Sequence, residues 1–151
     1  MIWFFFSAMA DEFAIVNAHV LPVVGADIEQ GTVWVEDGII KKIGVDIELP
    51  EGVPTIDAKG RYLMPGIIDV HSHMGVYPWP SARAHGDGNE ATAPVTAHVR
   101  AVDSIKVSDP AFEKARAGGV TTIMVLPGSA NLIGGETVTC LLYTSPSPRD
   151  S

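Results

Sequence analysis

The stretch LMPGIIDVHSHMG, residues 63–75, decides the fold, because it places an apolar strand pattern directly before two histidines that are one residue apart. Pro65-Gly66 closes the preceding sequence, and residues 67–70 then begin a run that is apolar on both sides of the chain. Strands of that composition are typical of parallel sheets covered on both faces. We therefore expect a buried strand here, with the histidines at its carboxyl end.

A second apolar run, GVTTIMVLPG at residues 119–128, follows a segment that carries the signals of a helix. In DPAFEKARAGG, Asp109 suits the cap, Pro110 the first helical position and Gly118 the end. Strand, helix and strand in this order predict a βαβ unit with parallel strands. If the chain lacks the rest of such a sheet, both strands should expose apolar faces and unpaired edges.

Residues 74–108 form a long excursion between the first strand and the helix, a length that is more often functional than idle. Tyr77 and Trp79 near its start are candidate substrate contacts, although aromatics flanked by prolines also simply fix loops. The valines of residues 95–102 fit a helix, and the alternation over residues 99–103 fits a strand equally well. The sequence leaves these two alternatives open.

The loop after the second run, PGSANLIGGE, offers Ser129 and Asn131 as further candidate substrate contacts. Its glycines would let backbone amides approach a ligand. The alternative is a tight turn in which the glycines serve the backbone conformation alone. A phosphate loop is not indicated, because no Gly-Lys-Ser/Thr follows.

The sequence before Pro65 has the pattern of short strands and turns. In TVWVEDGIIKKIG, apolar residues alternate with polar ones, and Asp37-Gly38 supplies the turn of a hairpin. Lys59-Gly60 marks another turn between two extended pieces. Residues 13 to about 64 are therefore predicted to form a small all-β unit.

Composition limits the classes of function. The 151 residues are 46% hydrophobic and 19% charged, which is typical of a globular protein with one sizeable core. The net charge of −8, with only ten scattered basic residues, argues against a nucleic-acid partner. The single cysteine, Cys140, excludes an internal disulfide and a cysteine-cluster zinc site.

The amino terminus carries a short apolar stretch, residues 2–6, which is far too short to span a bilayer. We expect no membrane partner and interpret residues 1–8 as an upstream extension, with translation beginning at Met9 and a cytoplasmic location. The alternative is a secreted or periplasmic protein in which residues 1–10 are the remnant of a signal peptide.

The two histidines are the strongest candidate for chemistry. On a strand, residues i and i+2 point to the same face, so the imidazoles of His71 and His73 can share one cation. Neutral imidazole is a good ligand for zinc and neighbouring transition metals, whereas ordinary polar packing is the alternative. Asp69 lies on the same face, either as a hydrogen-bond partner of a histidine ring nitrogen or as an inward-facing polar residue.

These segments carry a family resemblance. LMPGIIDVHSHMG resembles the first-strand signature of the amidohydrolase superfamily, and ARAGGVTTIMVLPGSANLIGG, residues 115–135, is similar to the second strand and loop of its imidazolonepropionase-like and prolidase-like members. The long loop, with PWP and GDGNEATAPVT, resembles their first loop, and the all-β unit resembles half of their accompanying β-sandwich. The resemblance covers residues 11–139.

The resemblance implies an α/β fold: part of a β-sandwich over residues 9–64, then the first two β/α units of a (β/α)8 TIM barrel over residues 65–139. It implies a hydrolase that uses a divalent metal, expected to be zinc, and metal-activated water to cleave a carbon–nitrogen bond. The substrate would be a small amide, cyclic amide or dipeptide-like molecule. Only His71 and His73 match the family's ligands, and no position matches the catalytic base or later ligands.

We therefore expect an N-terminal fragment that is catalytically incomplete, because two strands of eight are present. The alternative belongs to a different functional class: a non-catalytic β-rich binding module in which His71 and His73 are structural. Residues 140–151, CLLYTSPSPRDS, are expected to be a non-native or disordered tail that packs against nothing. We interpret this tail as the translation of a sequencing adapter, with a natural short tail as the alternative. The oligomeric state is not indicated.

Overall fold

In the computed structural model, residues 12–142 are described, apart from the side chain of His85. The chain divides into two compact units between Pro65 and Gly66. The predicted extension at residues 1–8, residues 9–11 and residues 143–151 lie outside the described residues. Each unit is built around its own small sheet.

The first unit is a five-stranded sheet. Its strands are β1 Phe13–Val20, β2 Ile28–Glu36, β3 Ile39–Gly44, β4 Thr55–Asp57 and β5 Tyr62–Leu63. β1, β2 and β3 are antiparallel neighbours, while β4 and β5 each pair with β1 in parallel. The expected all-β character is confirmed. The second layer of a sandwich is not found among residues 12–65, and the sandwich stays a prediction.

Local turn chemistry explains the hairpin between β2 and β3. Asp37 and Gly38 both have positive φ, 52° and 70°, the combination that a two-residue hairpin turn of type I′ requires. This turn sets Glu36 opposite Ile39 in the ladder. The hairpin packs onto β1 through a small core centred on Ala18, Val20 and Val33. The predicted turn at Lys59-Gly60 is also present, again with positive φ at both residues.

The second unit is a three-stranded sheet with one helix. Its elements are β6 Ile67–Ser72, the helix α1 Pro110–Ala117, β7 Val120–Val125 and β8 Val138–Leu141. β6 and β7 are parallel and connected through α1, which confirms the predicted βαβ unit. β8 is antiparallel to β7 on its other side. The mixed α/β class is confirmed, and the barrel stays a prediction.

The helix begins and ends where its sequence signals predict. Asp109 accepts a hydrogen bond from the backbone N–H of Ala111 at 2.9 Å, a capping interaction that typically contributes about 1 kcal/mol. Pro110 occupies the first turn, and the N–H of Gly118 donates to the carbonyl of Lys114 at 3.0 Å. Within the described part of the chain, no helix is long and apolar enough to cross a bilayer.

The long excursion is ordered by contacts that are distant in sequence. Neither the helix nor the strand considered for residues 95–103 forms. Val95 makes an isolated β-bridge to Ile133, and Arg100 makes one to Glu136. A 3-10 turn follows at Ala101–Asp103. A second 3-10 turn covers Arg83–His85. The loop after β7 therefore acts as the partner that fixes the middle of the excursion.

The core of the second unit corrects three expectations. β6 is an edge strand whose Ile68 and Val70 are each 64% exposed, so the expectation of a buried strand here is wrong, while the expected exposed apolar face and unpaired edge are present. β7 is instead paired on both sides and its Ile123 and Val125 are fully buried, so the expected exposure of this second strand is wrong. The expectation that the chain packs against nothing from Cys140 onward is wrong as far as residue 142. Cys140 and Leu141 belong to β8, and Leu142 is 6% exposed within the core, because the free side of β7 offers them backbone partners.

Candidate metal site

The two histidines lie side by side at the carboxyl end of β6. The centroids of the His71 and His73 rings are 5.6 Å apart, and the ring planes are nearly perpendicular at 84°. His71 is exposed and His73 is partly buried. Ser72, between them, is 6% exposed and accepts the backbone N–H of Met74, so it points away from the pair. The alternation along the strand brings the two imidazoles onto one side, as expected.

The neighbouring strand fixes the ring of His73. Its Nδ1 lies 2.8 Å from the carbonyl oxygen of Leu126, the residue after β7, whose own N–H donates to Ser72. A carbonyl oxygen can only accept, so Nδ1 must carry the proton. In the neutral ring, Nε2 then holds the lone pair. This is the arrangement that histidine ligands of metals generally use, with one nitrogen donating to an oxygen and the other free to bind.

The pair has the dimensions of a two-histidine metal ligand set. Zinc–nitrogen bonds of about 2.0–2.1 Å at a tetrahedral angle place two imidazole centroids about 5 Å apart. The observed 5.6 Å separation of His71 and His73 is close to this value. Among the side chains that the structure describes, which do not include that of His85, no group of three His, Cys, Asp or Glu is placed to hold an ion. The residues present therefore fit part of a metal site.

Asp69 makes a local contact. Its Oδ1 accepts the backbone N–H of His71 at 3.0 Å, a turn-like bond across one residue. The carboxylate thus braces the strand at the position where the first histidine emerges. Its expected hydrogen bond to a histidine ring remains a prediction.

The ring of Tyr77 contacts the ring of His73. Its ring centroid is 5.7 Å from that of His73, with an interplanar angle of 82°, so one ring presents its edge to the other. Its backbone N–H donates to the carbonyl of His73 at 3.0 Å. The hydroxyl accepts a hydrogen bond from the side-chain amide of Asn89. Tyr77 therefore borders the histidine pair, and its contact with a substrate stays a prediction.

Trp79 is directed to another neighbour. The ammonium nitrogen of Lys114, on α1, lies 3.4 Å from the centroid of the Trp79 ring, a cation–π contact. The backbone N–H of Trp79 donates to Asp109 at 3.0 Å. The structure thus gives Trp79 a role in holding the loop against the helix, and its substrate contact stays a prediction.

The two candidates after β7 differ in their surroundings. Asn131 donates from its side-chain amide to the carbonyls of Glu90 at 2.6 Å and Ala93 at 2.9 Å, so it ties the long excursion to this loop. Ser129 is exposed. Asn131 is therefore already engaged in loop structure.

Glu90, in the same part of the excursion, has a carboxyl group with a lowered pKa. Hydrogen bonds from Thr92 lower this pKa below its usual range.

Sequence reasoning did not identify Asn89 and underestimated Asp109. Asn89 links Tyr77 to the second loop, because its Oδ1 accepts the N–H of Ala130 at 3.0 Å. Asp109 is 3% exposed and accepts from Gly75 and Trp79 in addition to Ala111. Asn89 stands in GDGNE, which has only the pattern of a turn, so no local signal reveals its distant partners.

Comparisons with known proteins agree with this architecture, although no family model matches the chain. Amidohydrolase tasK of Hapsidospora irregularis is 44% identical over 109 residues, which are 70% of this chain and 11% of that protein. A crystal structure of an amidohydrolase from Thermotoga maritima matches with a TM-score of 0.82 and 40% identity, over 89% of this chain and 34% of that one. This chain belongs to the amidohydrolase superfamily.

Among other members of the amidohydrolase superfamily, the imidazolonepropionase of Brevibacillus brevis is 39% identical over 66 residues, 35% of this chain and 16% of that protein. The predicted family is thus confirmed. The chain spans about a tenth to a third of the length of these amidohydrolase relatives.

Proposed function

We propose that His71 and His73 are two ligands of a divalent metal, with zinc expected, in a hydrolase that cleaves a carbon–nitrogen bond. The observation that carries the proposal is the hydrogen bond from His73 Nδ1 to the Leu126 carbonyl, which leaves Nε2 as the basic nitrogen of a ring whose centroid is 5.6 Å from that of His71. The chemistry named for the relatives, amidohydrolase and imidazolonepropionase, supports the same reaction class.

The chain's own residues would prepare the site in three ways. Leu126 holds the proton of His73 on Nδ1, and Asp69 braces the backbone of His71. The Tyr77 ring packs against one side of the His73 ring. When bound, the metal would supply a water of lowered pKa and would polarise the substrate carbonyl. The position at the carboxyl end of a parallel strand is the usual place of active sites in α/β barrels.

We infer that the substrate is a small amide, cyclic amide or dipeptide-like molecule. The similarity to an imidazolonepropionase favours a cyclic substrate. In the same proposal, residues 65–139 form the first two β/α units of a TIM barrel and residues 9–64 part of a β-sandwich. The later ligands and the base would come from sequence beyond these segments. Neither a nucleic-acid nor a membrane partner is proposed, and the cytoplasmic location stays a prediction.

Zinc binding by the 151-residue chain tests the proposal. Equilibrium dialysis against Zn²⁺ should give one ion per chain, and His71→Ala and His73→Ala should each weaken the affinity at least tenfold, which corresponds to about 1.4 kcal/mol. His19→Ala is the matched control, since His19 contacts Tyr62 in the other unit. Unchanged binding in both variants would refute the proposal and would favour the binding module with structural histidines.

Activity gives a second test. The 151-residue chain should bind Zn²⁺ without hydrolysing small amides or cyclic amides, because this proposal places the later ligands and the base beyond residues 65–139. Zinc-dependent hydrolysis by this chain alone, abolished by His73→Ala, would contradict the expected incompleteness while keeping the metal assignment.

A further inference from the structure

A slot between two glycines holds the phenol of Tyr77. A β-carbon built on Gly88 would collide with the Tyr77 ring and hydroxyl, and one built on Gly128 would collide with the hydroxyl and with the amide of Asn89. Both glycines are buried, and neither has positive φ. Their backbones are therefore open to any L-residue, and space for Tyr77 is the reason for having no side chain at these positions.

The slot lies where the loop after β6, which contains Gly88, meets the loop after β7, which contains Gly128. The N–H of Gly128 donates to the carbonyl of Gly88 across the loops. Asn89 reinforces this link through both polar atoms of its side-chain amide. Its Nδ2 donates to the Tyr77 hydroxyl, and its Oδ1 accepts from the N–H of Ala130. Tyr77 is thus fixed at its ring by the glycines and at its hydroxyl by Asn89.

The position of the Tyr77 ring in turn restricts the orientation of the His73 ring. The Tyr77 ring lies nearly perpendicular to the imidazole, with the two centroids 5.7 Å apart, while the Leu126 carbonyl accepts the hydrogen bond of Nδ1. Leu126 lies two residues before Gly128, so a displacement of the second loop would also move the acceptor of His73. The ring contact and the carbonyl therefore depend on the same junction of loops.

We propose that Tyr77, seated between Gly88 and Gly128 and held by Asn89, is a positioning residue that keeps His73 in the Nδ1–H tautomer with Nε2 directed for metal binding. This inference rests on the proposed function for its consequence. Its structural part, the tautomer of His73, can be measured without metal. Loss of an outer partner of a histidine ligand typically lowers metal affinity by about 10- to 100-fold.

The first arm of the test uses the metal-free 151-residue chain at about pH 8, where unperturbed histidine is neutral. The ¹⁵N resonances of the His73 ring should show one Nδ1–H tautomer in the wild type and an averaged pair in Tyr77→Ala. Tyr77→Phe keeps the ring and loses the hydroxyl, so it should lie between the two. Tyr62→Ala is the matched control, because Tyr62 contacts His19 in the first unit.

The glycines give a check that is independent of removing the phenol. Gly88→Ala should push Tyr77 out of the slot and reproduce the Tyr77→Ala spectrum, and it should add nothing further in a Tyr77→Ala background. The second arm measures Zn²⁺ affinity, which should fall about tenfold in Tyr77→Ala and Gly88→Ala. A His73 tautomer that is unchanged in Tyr77→Ala, Tyr77→Phe and Gly88→Ala overturns this inference. Absence of Zn²⁺ binding in the wild type overturns the proposed function instead.

Discussion

Asp109 offers the sharpest test of how the loop after β6 is held. Its Oδ1 accepts N–H groups from Trp79 at 3.0 Å and Ala111 at 2.9 Å, and its Oδ2 accepts from Gly75 at 3.1 Å. The residue is 3% exposed. One buried carboxylate therefore joins the start of α1 to the loop that carries Tyr77. We predict that Asp109→Asn destabilises the second unit although it preserves the shape of the side chain.

The magnitude follows from the atoms. In Asp109→Asn the amide oxygen replaces Oδ1 and keeps two acceptor contacts, whereas the NH₂ group takes the place of Oδ2 and meets the N–H of Gly75, a donor against a donor. An unsatisfied buried donor costs about 1–3 kcal/mol, so we expect a loss of about 2 kcal/mol. Asp109→Ala removes all three contacts and should cost about 3–5 kcal/mol.

Urea denaturation followed by circular dichroism would give these differences in the free energy of unfolding. Hydrogen exchange at the amides of Gly75, Trp79 and Ala111 would show whether the loss is local. Asp103→Ala is the matched control, because Asp103 pairs with Arg100 at the surface, where such pairs contribute about 0–1 kcal/mol. An Asp109→Asn protein within about 0.5 kcal/mol of the wild type would refute the reasoning.

Three further predictions concern core packing and titration. Ile123→Ala, at a fully buried position, should cost about 2–5 kcal/mol in urea denaturation, against little for the exposed Ile40→Ala; equal losses would contradict the described core. The pKa of Asp57 is lowered by the backbone N–H of Lys59, so its stabilising contribution exists above the unfolded pKa of about 3.9 and is lost as pH falls through the folded value. Acid unfolding of Asp57→Asn should lack that dependence, and a pH profile identical to the wild type would argue against it. Burial raises the pKa of the Cys140 thiol, so iodoacetamide should alkylate it more slowly in buffer than in urea at pH 8; equal rates would place it outside the sheet.

The parts of the fold predicted from the sequence are those with local causes. The hairpin follows from Asp37-Gly38, a dipeptide that tolerates the positive φ values of its turn. The helix follows from Asp109, Pro110 and Gly118 at its ends. The proximity of His71 and His73 follows from the two-residue repeat of a strand. Each of these rests on residues within a dozen positions of one another.

The parts that were not predicted depend on partners far away in sequence. Val95 is positioned by Ile133, and the ring of His73 by Leu126, 53 residues later. Asn89 shows no helical or strand pattern, yet it connects two loops. The sequence does not predict the strand β8, because its few apolar residues stand directly before a polar, proline-rich segment that is typical of a tail. Long-range pairing of this kind leaves no periodic signal.

The most direct test of the metal site is a Zn²⁺ titration of the 151-residue chain, followed through the ring ¹⁵N resonances of all its histidines. We expect the Nε2 resonances of His71 and His73 to shift together along a single binding curve, while those of His19 and His98 do not move. Shifts confined to other histidines, or separate curves for His71 and His73, would contradict a shared ion.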